Sequence, residues 1–226
     1  MLTSTLILLF LALSASAHFK VEYPTWRGDS LTTDTASQWI FPCANISEAT
    51  SLSNRTAWSP EGGSLKMEVH HPWALTYVNL GIGTNVSAFN ISLVSGFNQT
   101  GNGTFCLSET GKENLKEGLR KAGKDAKSVE GMPASLQVIQ IAATGASLYN
   151  CADITFNATA ALLSSSDCQN STNVGGVAIQ NAGTSTTNPQ SSPAANASTP
   201  TGAAGKMGAS LGLGIAGGAL AMLVGL

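Results

Sequence analysis

Phe19-Lys20-Val21-Glu22-Tyr23 alternates apolar and polar residues until Pro24 and Gly28 break the run. This is the two-residue period of a half-buried strand. Leu65, Met67 and Val69 alternate in the same way with Lys66, Glu68 and His70. Pro72 closes that second run, because proline cannot donate to a ladder. A third strand is expected over residues 74–80, ended by Gly81 and Gly83, and a fourth over 86–94. A strongly apolar fifth follows over 135–142 and a sixth over 147–156. Short strands parted by turn residues predict an all-β fold, an antiparallel β-sandwich of the immunoglobulin or fibronectin kind. Helix enters as a short insertion, best placed at 113–126, where interleaved Lys, Arg, Glu and Asp read as a solvated face.

Both ends of the chain break this pattern. Residues 6–13 form an apolar run too short to span a bilayer, followed by Ala15-Ser16-Ala17, a small-x-small cleavage site. Residues 1–17 are therefore expected to be a signal peptide whose removal makes His18 the first residue. From about Asn170 the chain turns to Ser, Thr, Asn, Gly and Pro, too poor in large apolar residues to fold. We expect a domain over 18–170 and a disordered stalk over 171–205. Residues 206–226 carry no charge after Lys206 and read as a hydrophobic tail. Small residues, a polar spacer and a terminal apolar tail form the pattern for a GPI anchor, with Asn196 or Ser198 as the attachment residue.

Charged residues make up only 11% of the chain and the net charge is -2, without the basic footprint that nucleic acid requires. Asn45, Asn54, Asn85, Asn90, Asn98, Asn102, Asn157, Asn170 and Asn196 each begin an N-x-S/T triplet without proline. Nine such triplets behind a signal peptide imply a glycosylated extracellular surface. Cys43, Cys106, Cys151 and Cys168 then imply two disulfides, and sequence does not choose among the three pairings. We carry forward Cys43 with Cys151 and Cys106 with Cys168. The cysteines lack the paired short spacings of a zinc site.

Only three histidines occur: His18, His70 and His71. A terminal histidine offers its α-amino group and its ring Nδ1 to one ion, and a second imidazole completes a nitrogen-rich histidine brace. Tetragonal nitrogen sets suit Cu(II). The amine has an ordinary pKa of about 7.7–8.0, so copper displaces a proton and affinity weakens on acidification. His70 shares the polar face of Lys66 and Glu68, whereas His71 stands at the strand end before Pro72, and we favour His71 as the second ligand.

The opening His18-Phe19, with Tyr23-Pro24 and Arg27-Gly28, resembles the start of the fungal copper acquisition factors. These are GPI-anchored, copper-binding proteins related to the lytic polysaccharide monooxygenases. Phe41-Pro42-Cys43, Asn54-Arg55-Thr56, Gly62-Gly63 and His70-His71-Pro72 fit the same pattern, as do GNGTFC at 101–106, ASLQVIQ at 134–140 and LYNCADITF at 148–156. The resemblance implies one copper ion bound by His18, His71 (or His70) and Asp153. The insertion at 109–131 is longer than the pattern leads one to expect.

Three functions follow. The first is a monomeric copper-binding protein on the outer leaflet of the plasma membrane, or in the cell wall, serving copper uptake or homeostasis beside a membrane copper transporter. The second is a copper-dependent monooxygenase acting on wall polysaccharide, with Trp26, Trp39, Trp58 and Trp73 as a sugar platform. The third is a metal-free structural glycoprotein of the wall. Histidine placement favours the first, which is not an enzyme.

Overall fold

The structure, a computed structural model, describes residues 18–179. The strands are β1 (Phe19–Tyr23), β2 (Thr56–Trp58), β3 (Leu65–Val69), β4 (Trp73–Ile82), β5 (Ile91–Thr100), β6 (Gly103–Leu107), β7 (Pro133–Ala142), β8 (Ser147–Phe156) and β9 (Gly175–Ala178). An α-helix, α1 (Lys112–Lys121), lies between β6 and β7, and a single 3-10 turn spans Leu52–Asn54 among the described residues. Alternation decides what each strand buries. In β1 the inward residues are Phe19 and Val21, and in β3 they are Leu65, Met67 and Val69. These two strands and β6 form a three-stranded sheet in the order β1-β3-β6. The second sheet has the order β2-β8-β7-β4-β5-β9.

The sheets close face to face. Phe19, Leu65 and Met67 share one fully buried cluster with Val78, Leu80, Leu136, Leu148 and Ile154. Removing this apolar surface from water is the main force holding the sandwich together. The helix adds Leu115 and Leu119, four residues apart and so on one side, to the same cluster. Trp58 is fully buried and donates its indole Nε1–H to the Ser64 carbonyl at 3.0 Å.

The sandwich departs from expectation in identifiable places. The pairing of β2 with β8 is parallel, whereas the other ladders are antiparallel. The fourth expected strand, 86–94, instead begins at Ile91, after a turn in which Asn85 takes a φ of 56°. The helix stops at Lys121, short of 126, because Gly123 adopts a left-handed φ of 68°. β2, β6 and β9 were not anticipated. β9 corrects the domain limit of 170: residues 175–178 pair with β5, register Phe97↔Ala178, inside the segment expected to be a disordered stalk. Backbone hydrogen bonds hold this edge strand, and hydrophobic composition alone did not reveal it.

The disulfides are Cys43–Cys151 and Cys106–Cys168. Among the described residues, no helix is long and apolar enough to cross a membrane. The expected signal peptide (1–17), the stalk from 180 onward, the ninth sequon at Asn196, the attachment candidates Asn196 and Ser198, and the 206–226 tail lie outside the described residues. Of the other sequons, Asn45, Asn54, Asn85, Asn90, Asn102 and Asn170 are exposed, and Asn98 and Asn157 are half-buried.

Trp58→Ala deletes a fully buried indole and its hydrogen bond. It is expected to cost about 3–5 kcal/mol, read as a lower urea midpoint at unchanged slope. An unmoved midpoint would contradict this packing.

Candidate metal centre

The antiparallel register of β1 and β3 pairs Phe19 with Val69, and the His70 N–H donates to the His18 carbonyl at 3.0 Å. His18 and His70 are thus cross-strand neighbours. Phe19 and Val69 point into the core, so their sequence neighbours His18 and His70 point outward together. Their ring centres lie 6.0 Å apart. Two imidazoles bound on opposite sides of one metal through bonds of about 2 Å would have ring centres about 6 Å apart. The His70 ring also lies 3.8 Å from the Glu68 carboxylate.

The backbone beside His18 is clamped by buried amides. Gln38 accepts from the Phe19 N–H at 3.3 Å and donates to the Phe19 carbonyl at 2.6 Å. Asn150 of β8 donates to the same carbonyl at 2.9 Å. Ser30 ties the two amides together, donating to Asn150 and accepting from Gln38. In turn the Tyr149 N–H donates to the Gln38 carbonyl at 2.7 Å. These polar residues, all outside the expected site, fix where His18 leaves the domain.

His71 turns the other way, into the protein, and is only 2% exposed. Its Nε2 lies 2.6 Å from the Gln140 Oε1 on β7, while its Nδ1 is buried without a hydrogen-bond partner. Burial holds its basicity below the usual histidine range. The bond to Gln140 opposes this, and His70 and His18 push in the same direction as burial. At neutral pH His71 is an uncharged imidazole, the form that ligates metals.

Asp153, the expected third ligand, is held in a separate hydrogen-bond network. Asn150 faces the sandwich interior, and Asp153, an odd number of residues further along β8, faces the opposite side of the sheet. There the Arg27 Nε donates to both of its oxygens at 3.1 Å, and the Arg27 Nη2 lies at 2.7 Å. Ser135 donates at 2.7 Å and the Ala49 N–H at 2.8 Å. Glu48 extends the network to Arg27 and Arg55, its closer partner, and also accepts from the Val86 N–H. Asp153 is therefore an anchor for the long segment between β1 and β2. Register also separates it: Asp153 pairs with Ser135, five residues from Gln140, or about 17 Å of strand.

Among the described residues, no group of three or more His, Cys, Asp or Glu side chains is arranged to hold a metal ion. A brace needs only two imidazoles and an amine, and the orphaned, uncharged Nδ1 of His71 is a donor atom suited to Cu(II). The four tryptophans do not form one platform. Trp58 is in the core and Trp26 is partly buried under the Lys20 amine, whereas Trp39 and Trp73 are exposed.

Fold and histidines together define a β-sandwich that presents imidazoles where its first strand begins. The sequence matches the "copper acquisition factor BIM1-like" domain over residues 16–173, and the chain belongs to that family. It is 36% identical to the lytic polysaccharide monooxygenase-like protein ham-7 of Neurospora crassa, over 77% of this chain and 81% of that one. It is also 32% identical to the lytic polysaccharide monooxygenase-like protein X325 of Aspergillus fumigatus, over 68% and 72%. A lytic polysaccharide monooxygenase-like protein of Emericella nidulans is 30% identical over 71% and 75%.

Asp153→Ala strands the Arg27 guanidinium in a buried site. It is expected to destabilise the fold by about 3–5 kcal/mol, measured by denaturant unfolding, and to leave the Cu(II) EPR spectrum of the folded protein unchanged. A changed spectrum would return Asp153 to the ligand set.

Proposed function

We propose that this chain is a non-enzymic copper-binding protein of the extracellular cell surface, GPI-anchored and monomeric, acting in copper acquisition or homeostasis. The carrying observation is the buried His71, uncharged and with a partnerless Nδ1, next in sequence to the His18–His70 pair. Cleavage after Ala17 would free the His18 amine. That amine, the His18 Nδ1 and His71 then make a histidine brace for one copper ion, which is cargo for a membrane transporter. Membership of a copper acquisition family supports copper as the ion. Exposed sequons in several loops and turns support a glycosylated, extracellular setting.

Binding is preferred to oxidative catalysis because the tryptophans are divided between core and surface and present no shared sugar-binding face. His70 is the alternative second ligand, favoured by its 6.0 Å ring separation from His18. Two substitutions divide these readings. His71→Ala is expected to weaken Cu(II) binding far more than His70→Ala in a competition titration, and the reverse ranking would assign the ligand to His70.

Adding one Met or Gly ahead of His18 removes the free amine from the ring's chelate. Copper affinity is expected to fall by more than the roughly 10–100-fold lost with an outer-sphere partner, with the unfolding transition unchanged. An undiminished affinity would rule out the brace.

A further inference from the structure

The outer face of the six-stranded sheet is apolar at the end where β4 begins. Alternation turns Trp73, Leu75 and Tyr77 of β4 outward, opposite to the buried Ala74, Thr76 and Val78. Register places Leu75 beside Ile141 and Tyr77 beside Ile139 of β7. On its other side Leu75 pairs with Asn98 of β5, and Asn98 pairs in turn with Val177 of β9. Val177, Ile179 and Trp73 are 65%, 49% and 40% exposed. Among the described residues that these four strands turn outward here, none is charged. Contiguous exposed apolar surface of this kind marks a place where something else packs.

Asn98 stands in the middle of this face. With Pro72, Trp73, Leu75, Thr100 and Ile179 it lines an open trough of about 610 Å³, within the range of about 300–1,000 Å³ that holds small ligands. Asn98-Gln99-Thr100 is also a sequon, and it differs from the other described ones. Asn98 lies within a strand, whereas the asparagines of the others lie in loops or turns. Its Oδ1 is buried without a hydrogen-bond partner. Covering one end of a half-buried amide leaves the other, Nδ2, to reach the surface, and Nδ2 is the atom that carries a glycan. A glycan rising from a loop is surrounded by water, whereas one rising from the middle of a sheet must cross the side chains around it. Sugar rings present C–H faces that pack on indole and aliphatic groups while their hydroxyls stay hydrated, as an amphipathic aromatic such as tryptophan allows.

We infer that Asn98 is glycosylated and that its first sugar lies in this trough against Trp73, Leu75 and Ile179, covering the apolar outer face of the sheet. The inference rests on the glycosylated, extracellular part of the reading above and not on copper. It adds which sequon has a structural task and which residues its glycan touches. Gly175, which pairs with Thr100, puts no side chain in the way.

The protein secreted from a eukaryotic host is first mapped by glycopeptide mass spectrometry, and Asn98 is expected to be occupied. Trimming with endoglycosidase H, which leaves one N-acetylglucosamine at each site, is expected to leave Tm unchanged. Asn98→Gln is expected to lower Tm by roughly 2–4 °C and to raise the binding of an apolar dye. Thr100→Val, which keeps the asparagine and removes only the sequon, is expected to do the same. Trp73→Ala is expected to lower Tm in the glycosylated protein and to leave it unchanged in the Asn98→Gln background, because both variants remove one shared contact. Additive effects of Asn98→Gln and Trp73→Ala would overturn the inference. So would a bare Asn98 in a protein glycosylated elsewhere; such a protein sedimenting as a dimer, or floating with phosphatidylcholine vesicles, would give the face to a second copy or to lipid. A protein without a glycan at any sequon would instead remove the glycosylated reading, and with it this one.

Discussion

The clamp on the Phe19 peptide is the constraint on which this structure turns. A strand that begins a domain is free to fray, because it lacks a preceding element to hold it. Here Gln38 takes both polar groups of the Phe19 backbone, Asn150 takes the carbonyl as well, and the His70 N–H holds the carbonyl of His18. The result is a histidine whose backbone is set by the interior of the sandwich while its ring stands on the outer face. Preorganisation of this kind lowers the entropy lost when a ligand is bound.

The clamp depends on the long segment between β1 and β2, which carries Gln38 but little regular structure. Cys43–Cys151 ties that segment to β8, and the Arg27 N–H donates to the Cys151 carbonyl at 2.7 Å. Arg27, Arg55, Glu48 and Asp153 complete the attachment with charges that balance. Buried ion pairs add little net stability when satisfied, but breaking one is costly. Such a network suits a segment that must adopt one path across the sheet. Strand β8 serves both sides: Asn150 reaches the Phe19 clamp, and Cys151 and Asp153 hold the segment on the other face.

Much of this was legible from alternation. β1 and β3 fall where the two-residue period places them, since each sets a clean apolar face against a polar one. β2 is only three residues long, and β6 is a five-residue run opening on Gly103, so neither offers enough period to read. The site was only half legible. Histidine is rare in this chain, so its three copies stood out. Asp153 was carried over by resemblance, and its distance from the histidines depends on which face of β8 it occupies, a property fixed by tertiary pairing. Gln140 was hidden in a run read as apolar. A glutamine on the same face as Leu136 and Val138 was the available signal, but its partner lies far away in sequence.

The central claim is that one residue, His18, grips the ion with two nitrogens while a second histidine supplies a third. The most direct measurement is pulsed EPR of the naturally processed protein loaded with one equivalent of Cu(II), with 15N introduced selectively at histidine. The account predicts an axial spectrum with couplings to one amine and two imidazole nitrogens, all carrying the label. A centre without amine coupling, or one with a single labelled imidazole, would contradict it.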